Sequence, residues 1–359
     1  MVGDSSRYNF FHNTVFEMIQ KVKLTNFRNF SDKSLNFGDK ITVVVGPNGS
    51  GKTNILETLF LLSTGKSFKA KLESESINYN ENLARVTGEI GETKLEAVLT
   101  KDVVGWPKKR LLINGVPKRS IDFAGNFKTV LFGPWDMDLV TESPSVRRKF
   151  LDIVLSQTDR EYRRSVLSYE KGLRQRNKLL WQIRESGVPR SQLLFWNQLL
   201  IKNGDYISNK REEFINFANS TPSLNDHKIE LKYDRSAISE TRLEQYKNEE
   251  IASATTLVGP HRDDFIFFQN ERELAAYGSR GQQRMGVLWI KMAELNYIQE
   301  KSGERPTLLL DDIFSELDHE HRDLVLKIAD TQQTIITTAD PHFVQNLKTV
   351  EKIELVKYT

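Results

Sequence analysis

Eight residues, Gly46-Pro47-Asn48-Gly49-Ser50-Gly51-Lys52-Thr53, constrain this chain more than any others. They satisfy the pattern G-x-x-x-x-G-K-[ST]. The β-branched run Lys40–Val45 leads into them, and Asn54–Leu62 follows with apolar residues at helical spacing. A strand that ends in a glycine-rich turn and restarts as a helix points successive backbone N–H groups inward, where they cradle phosphate oxygens beside the positive end of the helix dipole. In that frame Gly46, Pro47, Asn48, Gly49, Ser50, Gly51 and Asn54 surround the phosphates. Lys52 reaches the β and γ phosphates as a catalytic cation, and the Thr53 hydroxyl sits on Mg2+. ATP and Mg2+ are the expected cofactors.

A second chemical element lies far along the chain. Leu308-Leu309-Leu310-Asp311-Asp312 is an apolar strand ending in two carboxylates. Beside a phosphate loop, one such carboxylate holds the metal and the other orients or deprotonates the attacking water. The assignment is Asp311 for the metal and Asp312 for the water. The same doublet taken alone also reads as a helix N-cap.

Between these elements the period of the sequence changes twice. Ile19–Leu24 alternates, and so do Ala84–Ile90, Lys94–Leu99 and Arg110–Ile113, with Gly91 and Asn114-Gly115 as turn signals. This predicts an antiparallel β lobe after the phosphate loop, with a further strand at Thr129–Phe132. Ser145–Glu185 and Gln192–Ala218 are charged and helical in period. Ile229–Tyr233 reads as a strand and Glu240–Ala254 as a helix. Strands return at Phe265–Phe268, Thr307–Leu310 and Thr334–Thr338, separated by helices at Gly281–Glu300 and His319–Ala329. The expectation is an α/β fold, a head formed by 18–143 and 255–359 with a mainly helical insertion at 144–254. Residues 1–17 are set aside as an extension or an alternative start.

The chain has no cysteine, and its six histidines show no ligand spacing, so thiolate and histidine-cluster metal chemistry is not expected. No apolar run approaches the ~18 residues of a membrane span, and the first residues lack the pattern of a secretory signal. A cytoplasmic protein with no membrane partner is expected. The net charge of +3 indicates no partner, but between Ser145 and Arg190 twelve Lys or Arg stand against five Asp or Glu. Such an excess reads either as a nucleic-acid surface or as a solvated helical face.

Two short segments narrow the class. Ser279-Arg280-Gly281-Gln282-Gln283 opens a helix, and Ser315-Glu316-Leu317-Asp318 follows the acidic strand at once. With the phosphate loop they resemble the ABC-type ATPases, in which the Ser-x-Gly-Gln signature of one subunit closes over the nucleotide held by another. That resemblance implies an ABC-type ATPase head with a P-loop core sheet. It implies that Ser279, Gly281 and Gln282 bind the γ phosphate across a dimer interface, and that Ser315 and Asp318 bridge the two sites. Taken alone, Ser279 reads as an N-cap.

Spacing then discriminates, because 225 residues separate Thr53 from Ser279. A transporter ATPase has about half that interval, and a cohesin-type protein has a far longer coiled coil there. Leu24-Thr25-Asn26-Phe27-Arg28-Asn29-Phe30, Ser143-Pro144-Ser145-Val146-Arg147-Arg148-Lys149-Phe150-Leu151-Asp152 and Gly259-Pro260-His261-Arg262-Asp263-Asp264 make the chain similar to the RecF family over nearly its whole length. The resemblance implies slow ATP hydrolysis coupled to dimerisation. It also implies sequence-independent binding of DNA at single-strand gaps beside duplex, release on hydrolysis, and loading of RecA together with RecO and RecR. Arg147, Arg148, Lys149, Arg163, Arg164 and Arg174 are the candidates for the DNA surface. A transporter nucleotide-binding subunit and another standalone ABC-like ATPase are the alternatives.

The chain also departs from the family. Pro134-Trp135-Asp136 stands where the family usually carries Pro-Glu-Asp, which leaves Asp136 as the acid there. Thr337, Thr338 and Asp340 occupy the stretch of the usual switch histidine, with His342 just beyond. Arg28 reads equally as a residue near the nucleotide or as a surface arginine. His261-Arg262-Asp263-Asp264 reads as a charged turn before a strand.

Overall fold

The structure is a computed structural model and describes residues 18–101, 108–224, 228–315, 319–340, 342 and 350–356. Five strands from distant parts of the chain build a parallel sheet: β3 (Ile41–Val45), β8 (Thr129–Phe132), β12 (Thr307–Asp311), β13 (Thr334–Thr338) and β14 (Val350–Glu354). Their spatial order is β14-β3-β13-β12-β8. Apart from the edge strand β14 they are almost wholly buried, which is why they read as continuous apolar runs. Alternate side chains feed two cores. Val44, Leu131, Leu309 and Ile335 face one side, and Val43, Val130, Leu308, Leu310 and Ile336 face the other.

On the first side lies α1 (Lys52–Thr64), packed against the parallel sheet and against an antiparallel one. The antiparallel sheet contains β1 (Ile19–Phe27), β2 (Phe30–Asn36), β4 (Leu83–Ile90), β5 (Thr93–Thr100), β6 (Lys109–Ile113) and β7 (Val116–Lys118), in the order β2-β1-β4-β5-β6-β7. Asn114 (φ 49°) and Gly115 (φ 78°) form the two-residue turn between β6 and β7, where both residues must be left-handed. β2 was not anticipated, since only Phe30 and Leu35 of its seven residues are buried and an edge strand needs little apolar pattern.

On the other side the chain is mainly helical. The helical period over Ser145–Glu185 is carried by two helices, α2 (Pro144–Thr158) and α3 (Arg160–Ser186), separated by an extended Asp159. The Asp159 carboxylate accepts from the Tyr162 backbone N–H at 2.9 Å and caps the second helix. Next come α4 (Leu194–Asn219) and β9 (Ile229–Asp234), then two short helices, Glu240–Gln245 and Lys247–Ser253, in place of one. β9 pairs antiparallel with β10 (Asp264–Gln269), which also pairs with β11 (Arg272–Glu273). Two further helices follow, α5 (Arg280–Ser302) and α6 (His319–Ala329). One hydrophobic cluster runs from Val130 and Leu310 of the parallel sheet to Phe150, Leu200 and Phe214 of the helices, so segment 144–254 shares its core with the head. Among the described residues no helix is long and apolar enough to cross a membrane.

Candidate functional site

The phosphate loop leaves the carboxyl end of β3, where open parallel sheets place their ligands. Gly49 (φ 83°) and Gly51 (φ 101°) are both left-handed, a conformation that disfavours other residues. A Cβ on Gly51 would stand 2.7 Å from the Asn29 side chain and the Phe30 ring, so that position has no room for one. Lys52 folds back and donates to the carbonyls of Gly46 (2.8 Å) and Pro47 (3.2 Å). Ser50 Oγ is buried and has no hydrogen-bond partner among the described residues. An orphaned hydroxyl and a lysine resting on neutral carbonyls, beside a helix N-terminus, fit a polyphosphate.

Thr53 and Asp311 meet across the gap between α1 and β12. The Thr53 hydroxyl donates to Asp311 Oδ1 at 3.0 Å, and the Thr337 hydroxyl donates to the same oxygen at 2.6 Å. Burial pushes the Asp311 carboxyl above its usual range, against the two hydroxyl hydrogen bonds that lower it. Two hard oxygen donors suit Mg2+, which keeps several waters and takes few protein ligands. Among the described residues no cluster of three or more His, Cys, Asp or Glu could hold a metal by itself. Asp312 follows with left-handed backbone (φ 49°), its N–H donating to the Thr337 carbonyl at 3.1 Å. Thr337 therefore buttresses the acidic pair from a fully buried position. Thr338 bonds to the Asp340 backbone, and His342 is exposed.

The signature segment has a different setting. Ser279 caps α5, its Oγ accepting from the Gln282 N–H at 3.3 Å while the Gln282 side chain accepts from the Ser279 N–H at 2.8 Å. This capping box occupies the Gln282 amide oxygen but leaves the Ser279 hydroxyl proton free to donate. Ser279, Arg280 and Gly281 are exposed. Ser315 closes the short turn Ile313–Ser315, and Asp318 lies outside the described residues.

Glu57, Phe68, Lys69, Lys291 and Glu294 support the site without belonging to any motif and were missed. Asn29 donates to the Ser50 carbonyl (3.1 Å), Asn54 to Asn29 Oδ1 (2.8 Å) and Lys69 to Asn54 Oδ1 (3.0 Å), a chain that braces the loop from outside. Arg28 clamps the fully buried Glu57 of α1 through two bonds of 2.6 and 2.9 Å and so holds the β1–β2 turn to that helix. Trp135 stacks on Phe68 with ring centroids 5.1 Å apart. Its neighbour Asp136 is buried and ion-paired with Lys291 of α5 at 3.0 Å, and Lys291 also meets Glu294 at 3.1 Å. Burial raises the Asp136 carboxyl against Lys291, and pushes Glu294 up to about 7. Burial alone would lower Lys291, but Asp136 and Glu294 outweigh it and hold the ammonium above its usual range.

The six candidates for a DNA surface fall into two groups. Arg147 is buried and grips both oxygens of Asp264 (2.6 and 2.9 Å) and the Glu142 carbonyl (2.7 Å), which leaves it no face for a phosphate. Arg163 is pinned to the carbonyls of Ile121 and Ser156, and Arg148 to that of Asp263. Lys149, Arg164 and Arg174 are exposed, with Arg164 paired to Glu161. The turn His261–Asp264 is a junction built around the buried Asp263. Asp263 accepts from Ser208, Tyr233, Arg211 and the Ser236 N–H, while His261 sits between Tyr169 OH (2.8 Å) and the Thr256 carbonyl (3.0 Å). Burial lowers the His261 imidazole below its usual range, as expected of a neutral packing residue. A cleft of about 480 Å3 opens beside this junction, between the end of α1 and helices α2 and α3, away from the phosphate loop.

A family model described as the RecF/RecN/SMC N terminal domain matches residues 18–358. The chain is 34% identical over 348 residues to the DNA replication and repair protein RecF of Lachnoclostridium phytofermentans, covering 94% of this chain and 97% of that one. It is 32% identical to the RecF of Oceanobacillus iheyensis, covering 95% and 98%. Among solved structures, the recombination mediator protein RecF with ATPrS in the RecFOR pathway superposes with a TM-score of 0.86 at 31% identity, covering 95% and 98% of the two chains. The corresponding RecF–ATP structure superposes with a TM-score of 0.85 at 30% identity, covering 96% and 97%.

Proposed function

We propose that this chain, which belongs to the RecF/RecN/SMC family and within it to the RecF proteins of DNA replication and repair, is an ATP-operated DNA-binding homodimer. The observation that carries this reading is an unequal division of the site. One copy supplies a braced phosphate loop with the Thr53–Asp311 pair, while Ser279 and Gly281 face solvent at the start of α5. Bound ATP with Mg2+ supplies the phosphoryl group for transfer to water and the negative charge that an exposed helix N-terminus recognises. Lys52 is poised to exchange two neutral carbonyls for phosphate oxygens, and Thr53 and Asp311 hold the metal. Asp312 orients the attacking water and takes its proton.

In this reading the Ser279 hydroxyl, which keeps its proton to donate, and the first N–H groups of α5 complete the γ-phosphate shell of a second copy. Ser315 and Asp318 lie along the same interface. Two copies closed on ATP bind DNA at single-strand gaps beside duplex, together with RecO and RecR and ahead of RecA, in the cytoplasm. Slow hydrolysis opens the dimer and releases the DNA. The test is binding to gapped and plain duplex DNA, with and without ATP, across a salt series. Tighter, ATP-dependent binding to the gapped form is expected, weakening steeply with salt as phosphate contacts require. Equal and ATP-independent binding to both would reject the reading.

A further inference from the structure

The buried arginines around α2 move the DNA question further along the insertion, to the outer face of α3. Its inner face is buried through Tyr162, Ser165, Tyr169, Gly172, Arg176, Leu180 and Ile183, at helical spacing. The opposite face presents Lys171, Arg174, Lys178 and Trp181, all exposed and spaced by three or four residues, so they form one row along the helix. Among the described residues none of the three cations has an ion pair. Trp181 is 50% exposed, an unusual place for so large an apolar ring.

The row continues sideways. Arg164, Ser168, Phe195, Leu199 and Lys202 line a groove of about 350 Å3 between α3 and α4. Lys171 stands one turn beyond Ser168, on the same side of the helix. Phe195, which is 62% exposed, adds a second ring. Glu170 and Glu185 are the exposed acids nearest the row on its own helix, against three unpaired cations.

We propose that this face of α3 is a track for single-stranded DNA, with Lys171, Arg174 and Lys178 on successive phosphates and Trp181 stacking on a base. Unpaired cations complement a phosphate backbone, and a free ring at the end of the row complements an unstacked base, whereas duplex hides its base faces. A solvated helical face explains the cations but not a half-exposed tryptophan among them. The inference rests on the DNA-binding reading above and names the strand and the residues.

The experiment uses the full chain, with a fluorescein-labelled oligo(dT) and a labelled duplex of equal length, followed by anisotropy at fixed salt. Trp181→Ala is expected to weaken oligo(dT) binding by about 5- to 100-fold, as removal of a stacking ring does, and to leave duplex binding unchanged. Trp181→Phe should recover most of the loss. A Lys171→Glu, Arg174→Glu, Lys178→Glu variant, verified as folded by its melting curve, should lose oligo(dT) binding and flatten its salt dependence. Unchanged oligo(dT) affinity in Trp181→Ala, or an equal loss on oligo(dT) and duplex, would overturn the track. A wild-type chain that binds neither DNA would instead remove the DNA-binding reading itself.

Discussion

At the carboxyl ends of the parallel strands and at the root of the helical insertion, charged groups lie equally deep and have opposite surroundings. Around the phosphate loop, Lys52 leans on carbonyls, Ser50 Oγ has no partner among the described residues, and Asp311 is buried against hydroxyls rather than a cation. In the insertion the buried guanidiniums meet carboxylates: Arg147 with Asp264, Arg176 with Glu250 at 2.6 Å, and Arg211 with Asp152 and Asp263. The first region lacks the countercharge that a nucleotide and its metal would bring, whereas the second is already neutralised from within. A buried charge therefore points to a ligand where the chain itself does not answer it.

The sharpest way to break this comparison is to remove a charge from each region. Lys52→Met should abolish ATP-dependent dimerisation, seen by sedimentation, with little change in melting temperature. A normal dimer would show that the loop is not the nucleotide site. Asp312→Asn should retain ATP binding and slow phosphate release by about 10²- to 10⁴-fold, the usual contribution of a general base. Normal turnover would remove Asp312 from that role. Arg176→Met should do the reverse, costing about 3–5 kcal/mol in urea unfolding because Glu250 is left buried and unpaired, with ATP affinity unchanged. Adding Glu250→Gln should restore much of that loss, and a double variant as unstable as the single one would contradict the closed-pair account.

The smallest effect belongs to a case between the two. Lys291 is shared by Asp136 and Glu294, so one carboxylate is only partly answered, and Glu294 is pushed up to about 7 from 4.5. Between those values the folded protein holds a proton that the unfolded chain has released, and stability from this group falls as pH rises through the window. Glu294→Gln should remove that slope. Its melting temperature relative to wild type should rise by a few degrees from about pH 5 to about pH 8. A pH-independent difference would place the proton elsewhere.

Much of this was legible before folding. The phosphate loop, the acidic strand and the signature helix are local patterns, and β8, β13 and α6 have the expected bounds. The edge strands β2 and β14 were not legible, because a strand with few buried side chains has little pattern to read. The break at Asp159 was hidden because helical periodicity continues on both sides of one extended residue. The basic excess between Ser145 and Arg190 is only in part a surface, since Arg147 and Arg176 are buried in ion pairs with acids more than seventy residues away, whereas Lys171, Arg174 and Lys178 stay exposed.

Sequence alone determined the chemistry on offer. Gly49 and Gly51 permit the loop, Lys52 and Thr53 equip it, and an apolar strand ends in two acids, all set by backbone conformation and side-chain type over a few residues. Tertiary structure decided which of those groups are in use. It set Thr53 against Asp311 across 258 positions, left Ser279 facing outward, and removed Arg147 from the surface while leaving Trp181 on it. The reason is that a charge acts according to its neighbours and its access to water, and both are fixed only when distant segments pack.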